Sequence, residues 1–173
     1  NYLYSQGITD VSFLVCNTDK QCLNGSSVPA KLQLGPGWGA GGKPEVAQQY
    51  AEESRERIRE ALNDGTQMLF ITAGMGGGTG TGASSIVAEV AREMNILTVG
   101  IVTIPFAFEG PVKIKKAMIG VAKLAEHVDA ILVINNQKLL HIYPDFSMLN
   151  AFKKSDDVVA NAARSIAEII TIP

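Results

Sequence analysis

An α/β fold with a mostly parallel sheet is predicted by two observations. Apolar runs of strand length alternate with segments of helical periodicity, the pattern of a parallel sheet covered on both faces. A loop rich in glycine and threonine also joins one such run, Met68 to Thr72, to a helix opening near Ala83, as in folds that bind ligands at strand ends.

The elements follow in order. Val11 to Cys16 reads as the first strand, closed by Asn17-Thr18-Asp19, and a short extended piece covers Ala30 to Leu34. From Pro44, suited to a helix's first turn, Ala47, Tyr50, Ala51, Ser54, Ile58, Ala61 and Leu62 recur at helical spacing and stop at Asp64-Gly65. The outer face, Glu52 to Glu60, is a mixed charge run read as solvated, with i,i+4 pairs such as Glu53 with Arg57. Ser85 to Asn95 is a helix, Ile96 to Ile104 a buried strand ended by Pro105, Val112 to His127 a crossover helix, and Ala130 to Ile134 a further strand. Leu139 to Ile142 and Ser147 to Lys154 are short helices. A longer helix starts near Asp156 with Val159, Ala162, Ala163, Ile166, Ile169 and Ile170 as its apolar stripe.

The chain has 173 residues, 46% hydrophobic and 18% charged, with formal net charge −2, which fits one domain. Its scattered positive charge gives no footprint for nucleic acid or an anionic membrane, and no apolar stretch suits membrane insertion or a signal peptide. A cytoplasmic location is expected. Cys16 and Cys22 are too few for a disulfide framework or metal site and are expected to be reduced. His127 and His141 are lone histidines, expected to face solvent.

The run Thr72 to Ala83 carries the chemistry. Without Cβ atoms, backbone N–H groups close on an anion, Thr79 and Thr81 add neutral donors, and the helix start adds about half a positive charge. A Walker A loop needs a lysine after its last glycine; here no Lys or Arg lies between Arg59 and Arg92. Gly78 to Ala83 satisfies the dinucleotide fingerprint by letter, but the strand Ile96 to Ile104 ends without the acidic residue that holds a ribose. A flexible linker does not belong between an apolar strand and a patterned helix.

The string Gly-Gly-Gly-Thr-Gly-Thr-Gly from Gly76 to Gly82 resembles the signature of the tubulin/FtsZ superfamily of polymerising GTPases. The resemblance runs along the whole chain and is nearer to the bacterial FtsZ branch than to eukaryotic tubulin. Asn17 to Gln21 is similar to the family's second nucleotide loop, Gly37 to Glu45 to the third, and Ala51 to Arg55 continues that match. Pro105 to Gly110 is similar to the fifth loop, Ile134 to Leu139 to the sixth, and Ala151 to Val159 to the start of the central helix. The resemblance implies a Rossmann-like three-layer GTPase domain, residues 1–173 forming part of it, with the central helix beginning at about 156.

Its implied site is specific. Gly76, Gly77, Gly78, Thr79, Gly80, Thr81 and Gly82 would cradle the α- and β-phosphates of GTP or GDP, while Ala40, Gly41 and Gly42 would sense the γ-phosphate. Asp19 would stand near that phosphate and its Mg²⁺, or simply form a turn. Pro105 and Glu109 belong to the fifth loop, with Glu109 accepting from the ribose and Lys113 alongside; otherwise the two are an exposed i,i+4 pair. Phe152 would stack on guanine and Asp156 accept from its N1–H and 2-amino group, a pair of donors that adenine lacks, with Asn136 a further base or ribose contact. An unpaired desolvated carboxylate would cost about 1–3 kcal/mol, which sets the preference. The plainer alternative has Ser155 capping the helix and Phe152 in the core.

The sequence departs from the family at Lys43, usually Asn; at Lys113, often Arg; and at Asn135, usually Pro, which is expected to loosen the turn there. The family's opening strand and first nucleotide loop are expected to be missing, as are the C-terminal domain and the acidic loop that one subunit inserts into the next subunit's site. The implied activity is GTP hydrolysis completed by head-to-tail filament assembly in the bacterial division ring, with membrane-anchoring division proteins recruited through a tail not present here. The alternatives are a non-hydrolysing nucleotide-binding scaffold and, more distantly, a nicotinamide-dependent dehydrogenase. No catalytic residue is expected within the chain, so the isolated 173-residue polypeptide should turn over GTP negligibly in a phosphate-release assay. Clear turnover would refute a shared active site.

Overall fold

The computed structural model describes residues 2–7, 11–143 and 147–171. The strands are β1 (Leu14–Asn17), β2 (Ala30–Gln33), β3 (Met68–Gly74), β4 (Leu97–Ile104) and β5 (Ala130–Asn135). The helices are α1 (Tyr2–Ser5), α2 (Lys20–Asn24), α3 (Pro44–Glu53), α4 (Arg55–Leu62), α5 (Thr79–Glu93), α6 (Pro111–Ala125), α7 (Asn136–Ile142) and α8 (Met148–Thr171), with a 3₁₀ turn at Ala107–Glu109. Residues 1, 8–10, 144–146, 172 and 173 lie outside the described residues.

Every strand pairing is parallel, in two sheets ordered β1-β2 and β3-β4-β5, and no ladder joins them among the described residues. Period-two alternation makes the layers. Ile71 of β3 and Val102 of β4 face Ala88 of α5 and Ala117 and Leu124 of α6. Phe70, Val99, Ile101 and Ile134 face Val158, Ala162 and Ala163 of α8. Helices therefore cover both faces of the three-stranded sheet, a Rossmann-like three-layer arrangement. A third cluster packs Leu32 and Leu34 with Ala51, Ile58, Leu62 and Val90, fixing α3 and α4 against α5.

Several elements differ from the sequence reading. The helix expected from Pro44 to Leu62 breaks at Ser54, a buried residue whose hydroxyl accepts from Gly35 N at 3.2 Å, and its N–H turns back to Ala51 O. The charge run is a clasp as well as a solvated face. Arg55 reaches Glu52, Glu89 and Glu93, and Arg59 reaches Glu93 at 2.7 Å, joining α4 to α5. These pairs lie at the solvent boundary, where water and salt screen them, so they orient the two helices more than they stabilise them. Glu53 pairs with Gln49, while Arg57 donates to Gln33 O, so the expected Glu53–Arg57 pair is not made. The short helix expected over 147–154 and the long one from Asp156 are a single helix, α8, because no breaker interrupts their shared apolar stripe. Both cysteines are free, Cys16 half-buried and Cys22 exposed, and burial pushes the Cys16 thiol up to about 11. His141 is exposed, and His127 is half-buried.

Most consequential is the start of α5. It begins at Thr79, inside the glycine-threonine run rather than near Ala83, so Gly80 and Gly82 occupy its first turn. A Cβ on Gly82 would stand 2.0 Å from Pro44 O, and one on Gly80 2.4 Å from Gly74 O. Backbone cannot give way there as a flexible side chain can, so Gly82→Ala should destabilise the protein by about 1–3 kcal/mol or more. Urea denaturation of the variant checks this, and an unchanged midpoint would show that α3 and α5 are not locked by backbone contact.

Candidate functional site

Four loops meet at the C-terminal ends of β3 and β4 and at the start of α5, and glycine makes the meeting possible. A Cβ on Gly76 would collide with Pro105 at 2.6 Å and approach Lys113 O at 3.0 Å; one on Gly78 would lie 2.9 Å from Ala40 and 3.1 Å from Lys43 N. The run Gly76 to Gly82 is thus wedged between the loop Ala40–Lys43 on one side and the Pro105 turn with α6 on the other. Gly41 and Gly42 hold positive φ, 56° and 70°, and have open space where side chains would be. Gly77 differs from all of these. Its φ is outside the left-handed region, and no atom lies within 4 Å of where its Cβ would stand. Neither a left-handed backbone nor packing against a neighbour requires glycine at 77.

Hydrogen bonds divide the run by task. Gly76 N donates to the buried Thr81 Oγ1 at 2.8 Å, and Gly82 N donates to Gly78 O at 2.9 Å. Those two amides are spent on the loop's own shape, while the Thr81 hydroxyl oxygen accepts one of them. Helix geometry leaves the amides of Thr79, Gly80 and Thr81 without intrahelical partners, and among the described residues no backbone carbonyl receives those of Gly77 and Gly78. Five consecutive amides at the positive end of a helix, without a lysine, form a cradle suited to phosphate.

The remaining predicted residues fall around this cradle. Asp19 caps α2, its Oδ1 accepting from Gln21 N at 2.8 Å and Cys22 N at 3.2 Å, and it pairs as an isolated bridge with Trp38. Its turn-forming role is real, and its other oxygen lies beside Gly39. Among the described residues no group of three or more His, Cys, Asp or Glu can enclose a metal. A Mg²⁺ held by phosphates and water needs only one or two carboxylates, which Asp19 fits. Glu109 accepts from Phe106 N at 3.0 Å and pairs with Lys113 at 3.3 Å, and Pro105 is buried against Gly76.

Phe152 is 42% exposed, not core. Its ring stands edge-on to buried Phe106 at 5.1 Å and to Phe108 at 6.2 Å, and Phe106 and Phe108 stack at 5.0 Å. Backed in this way, it offers aromatic surface to a flat ligand. Asp156, one turn further along α8, lines a cleft of about 210 Å³ with Tyr2, Thr72, Gly74 and Thr103. Partial desolvation, then repulsion from Asp157, raises its carboxyl above the usual aspartate range. Ser155 lies within α8 and is no cap; its hydroxyl donates to Asn136 Oδ1 at 2.7 Å, so buried Asn136 ties α7 to α8. Asn135 caps α7 by accepting from Gln137 N at 3.0 Å, which tightens the turn that its replacement of proline was expected to loosen.

Sequence reasoning gave no role to Lys116, Phe106, Phe108 or Thr18. Lys116 donates to Gly42 O at 2.8 Å and steadies the Ala40–Lys43 loop. Its position three residues after Lys113, on the same helical face, was the available signal. Thr18 contacts Thr79 across the site through side chains, which no local pattern reveals.

Residues 1–144 match the model described as Tubulin/FtsZ family, GTPase domain. The cell division protein FtsZ of Porphyromonas gingivalis is 55% identical over 173 residues, covering 97% of this chain and 38% of that protein. That of Pseudomonas aeruginosa is 51% identical over 178 residues, covering 100% and 45%. The structure of an empty FtsZ dimer from M. jannaschii matches with a TM-score of 0.93 at 41% identity, over 99% of this chain and 51% of that one. The chain spans less than half the length of the two bacterial relatives. A lysine-free amide cradle between two glycine-dependent loops, within a fold and sequence shared at this level, places the chain in the Tubulin/FtsZ family as a GTPase domain.

Proposed function

We propose that the protein binds GTP at this cradle, hydrolyses it in a site completed by the next copy along a filament, and acts in the cytoplasm at the bacterial division site. Membrane-anchoring division proteins would be recruited, in the same reading, through a tail outside these 173 residues. The observation that carries it is the row of amides from Gly77 to Thr81 at the start of α5, which follows directly on the end of β3, where Asp156 of α8 lines a cleft with Thr72 and Gly74.

The cradle would hold the α- and β-phosphates, and the Ala40–Gly42 loop, steadied by Lys116, would close on the γ-phosphate. Glu109 would accept from the ribose and Phe152 would stack on the base. Asp156 accepts from N1–H and the 2-amino group of guanine, while Asn136 orders the adjoining turn through Ser155. Mg²⁺ travelling with the nucleotide would be held by Asp19 and would neutralise phosphate charge. What this chain supplies to phosphoryl transfer is position and fixed dipoles; the acidic group that orients the attacking water comes from the neighbouring subunit.

Gly77→Ala separates binding from folding. The added methyl enters open space, so the urea midpoint should hold within about 0.5 kcal/mol while GTP affinity falls at least roughly tenfold, since one obstructed charged hydrogen bond is worth about 1.5–3 kcal/mol. Calorimetric titration reads the second quantity, and unimpaired affinity would remove the cradle from the site. Asp156→Asn should lose GTP by roughly tenfold or more and gain XTP, whose 2-oxo group accepts from the new amide. Because guanine needs the ionised carboxylate, wild-type affinity should also weaken as pH falls through the raised Asp156 pKa. The empty protein gains relative stability over the same descent, since its folded state binds that proton more readily than the unfolded chain. In Asp156→Asn this component of the pH profile should vanish, and its persistence would assign guanine recognition elsewhere.

A further inference from the structure

Thr18 is 1% exposed, yet it carries a hydroxyl at the junction of three loops. Its carbonyl accepts from Gly39 N at 2.9 Å, tying it to the Ala40–Lys43 loop, and its Oγ1 lies 2.7 Å from Thr79 Oγ1 at the first residue of α5. Thr79 is half-buried and has a second neighbour, Asn17 Oδ1, at 3.4 Å, and that oxygen also accepts from Asp19 N at 3.1 Å.

The direction of these bonds follows from counting protons. If Thr79 donated to Thr18, the Thr18 proton would be buried with no acceptor given by any other contact of that side chain, at a cost of about one unsatisfied donor. If Thr18 donates to Thr79, the Thr79 proton has Asn17 Oδ1 to reach, and every group is satisfied. At 3.4 Å that last bond is long and weak, so it is easily exchanged for a better acceptor. A hydroxyl that already receives one hydrogen bond is also the stronger donor of the next.

We propose that Thr18 is a positioning residue for the phosphate cradle: its buried hydroxyl donates to Thr79 and frees the Thr79 proton to turn from Asn17 to a phosphate oxygen. The inference rests on the reading of the cradle as a GTP site. The relay also links the two phosphate loops through one residue, since the backbone of Thr18 holds Gly39 while its side chain orients Thr79.

The test is a double-mutant cycle on the full-length protein, using Thr18→Val, Thr79→Val and the pair, with Kd for GTP and GDP measured calorimetrically in Mg²⁺ and guanosine as a phosphate-free control. Valine keeps the shape of threonine and leaves the Gly39 bond intact. Thr18→Val should weaken GTP and GDP about three- to tenfold, one neutral hydrogen bond's worth, and leave guanosine unchanged. It should have no further effect in the Thr79→Val background, because the two residues act as one donor. Thr18→Ser should restore wild-type affinity. A purely structural Thr18 would instead give losses that add in the double variant and affect guanosine equally; that result, unchanged affinity in Thr18→Val, or no rescue by serine overturns the relay. If valine at 18 prevents folding, Thr18→Ala judged by the same GTP-to-guanosine ratio decides in its place. A wild-type protein that binds no GTP overturns the site itself, whereas wild-type binding with an indifferent Thr18 overturns only the relay.

Discussion

Where a side chain on Gly82 would begin, the Pro44 carbonyl already stands 2.0 Å away, and the same crowding recurs between Gly80 and the end of β3 and between Gly78 and Ala40. These contacts pull three backbones closer than any residue with a Cβ permits. That proximity sets the start of α5, with its first free amides, against two loops at once. The shape of the whole site depends on this geometry. Anion binding by main chain requires N–H groups fixed in direction before the ligand arrives, and here packing fixes them rather than a charged side chain.

The glycines have separate duties. Within the run, Gly78, Gly80 and Gly82 serve close approach of neighbouring backbone, Gly76 admits the Pro105 ring, and Gly77 faces open space, as Gly41 and Gly42 do in the facing loop. Charge is arranged around the cradle instead of within it. Lys116 reaches a loop carbonyl, and Lys113 pairs with Glu109. Cations that steady the walls leave the amides as the direct contacts in the proposed site.

Strand and helix order was legible in the sequence because the apolar periods are long and clean, and the glycine-threonine run marked the site. The start of α5 was misplaced because Gly80 and Gly82 are poor helix formers; tertiary packing overrides that propensity in the first turn. The break at Ser54 was hidden for a related reason, since a buried hydroxyl accepting from Gly35, 19 residues upstream, leaves the apolar periodicity intact. The continuity of α8 was missed because acidic residues at 156 and 157 resemble a helix start. The family resemblance and the one-turn spacing pointed to Phe152 and Asp156 as candidates, but the Phe106 and Phe108 rings against Phe152 and the Thr18–Thr79 contact are long-range and leave no sequence pattern.

The central claim is that main-chain amides, not a basic side chain, receive the phosphates. Mapping amide ¹H–¹⁵N shifts of the full-length protein on adding GDP and then a slowly hydrolysed GTP analogue tests it directly. Large shifts for the amides of Gly77 to Thr81 with both nucleotides, and for Gly41 and Gly42 only with the triphosphate, are the result expected. Shifts centred on Lys113 and Lys116 with the cradle amides unmoved would contradict it.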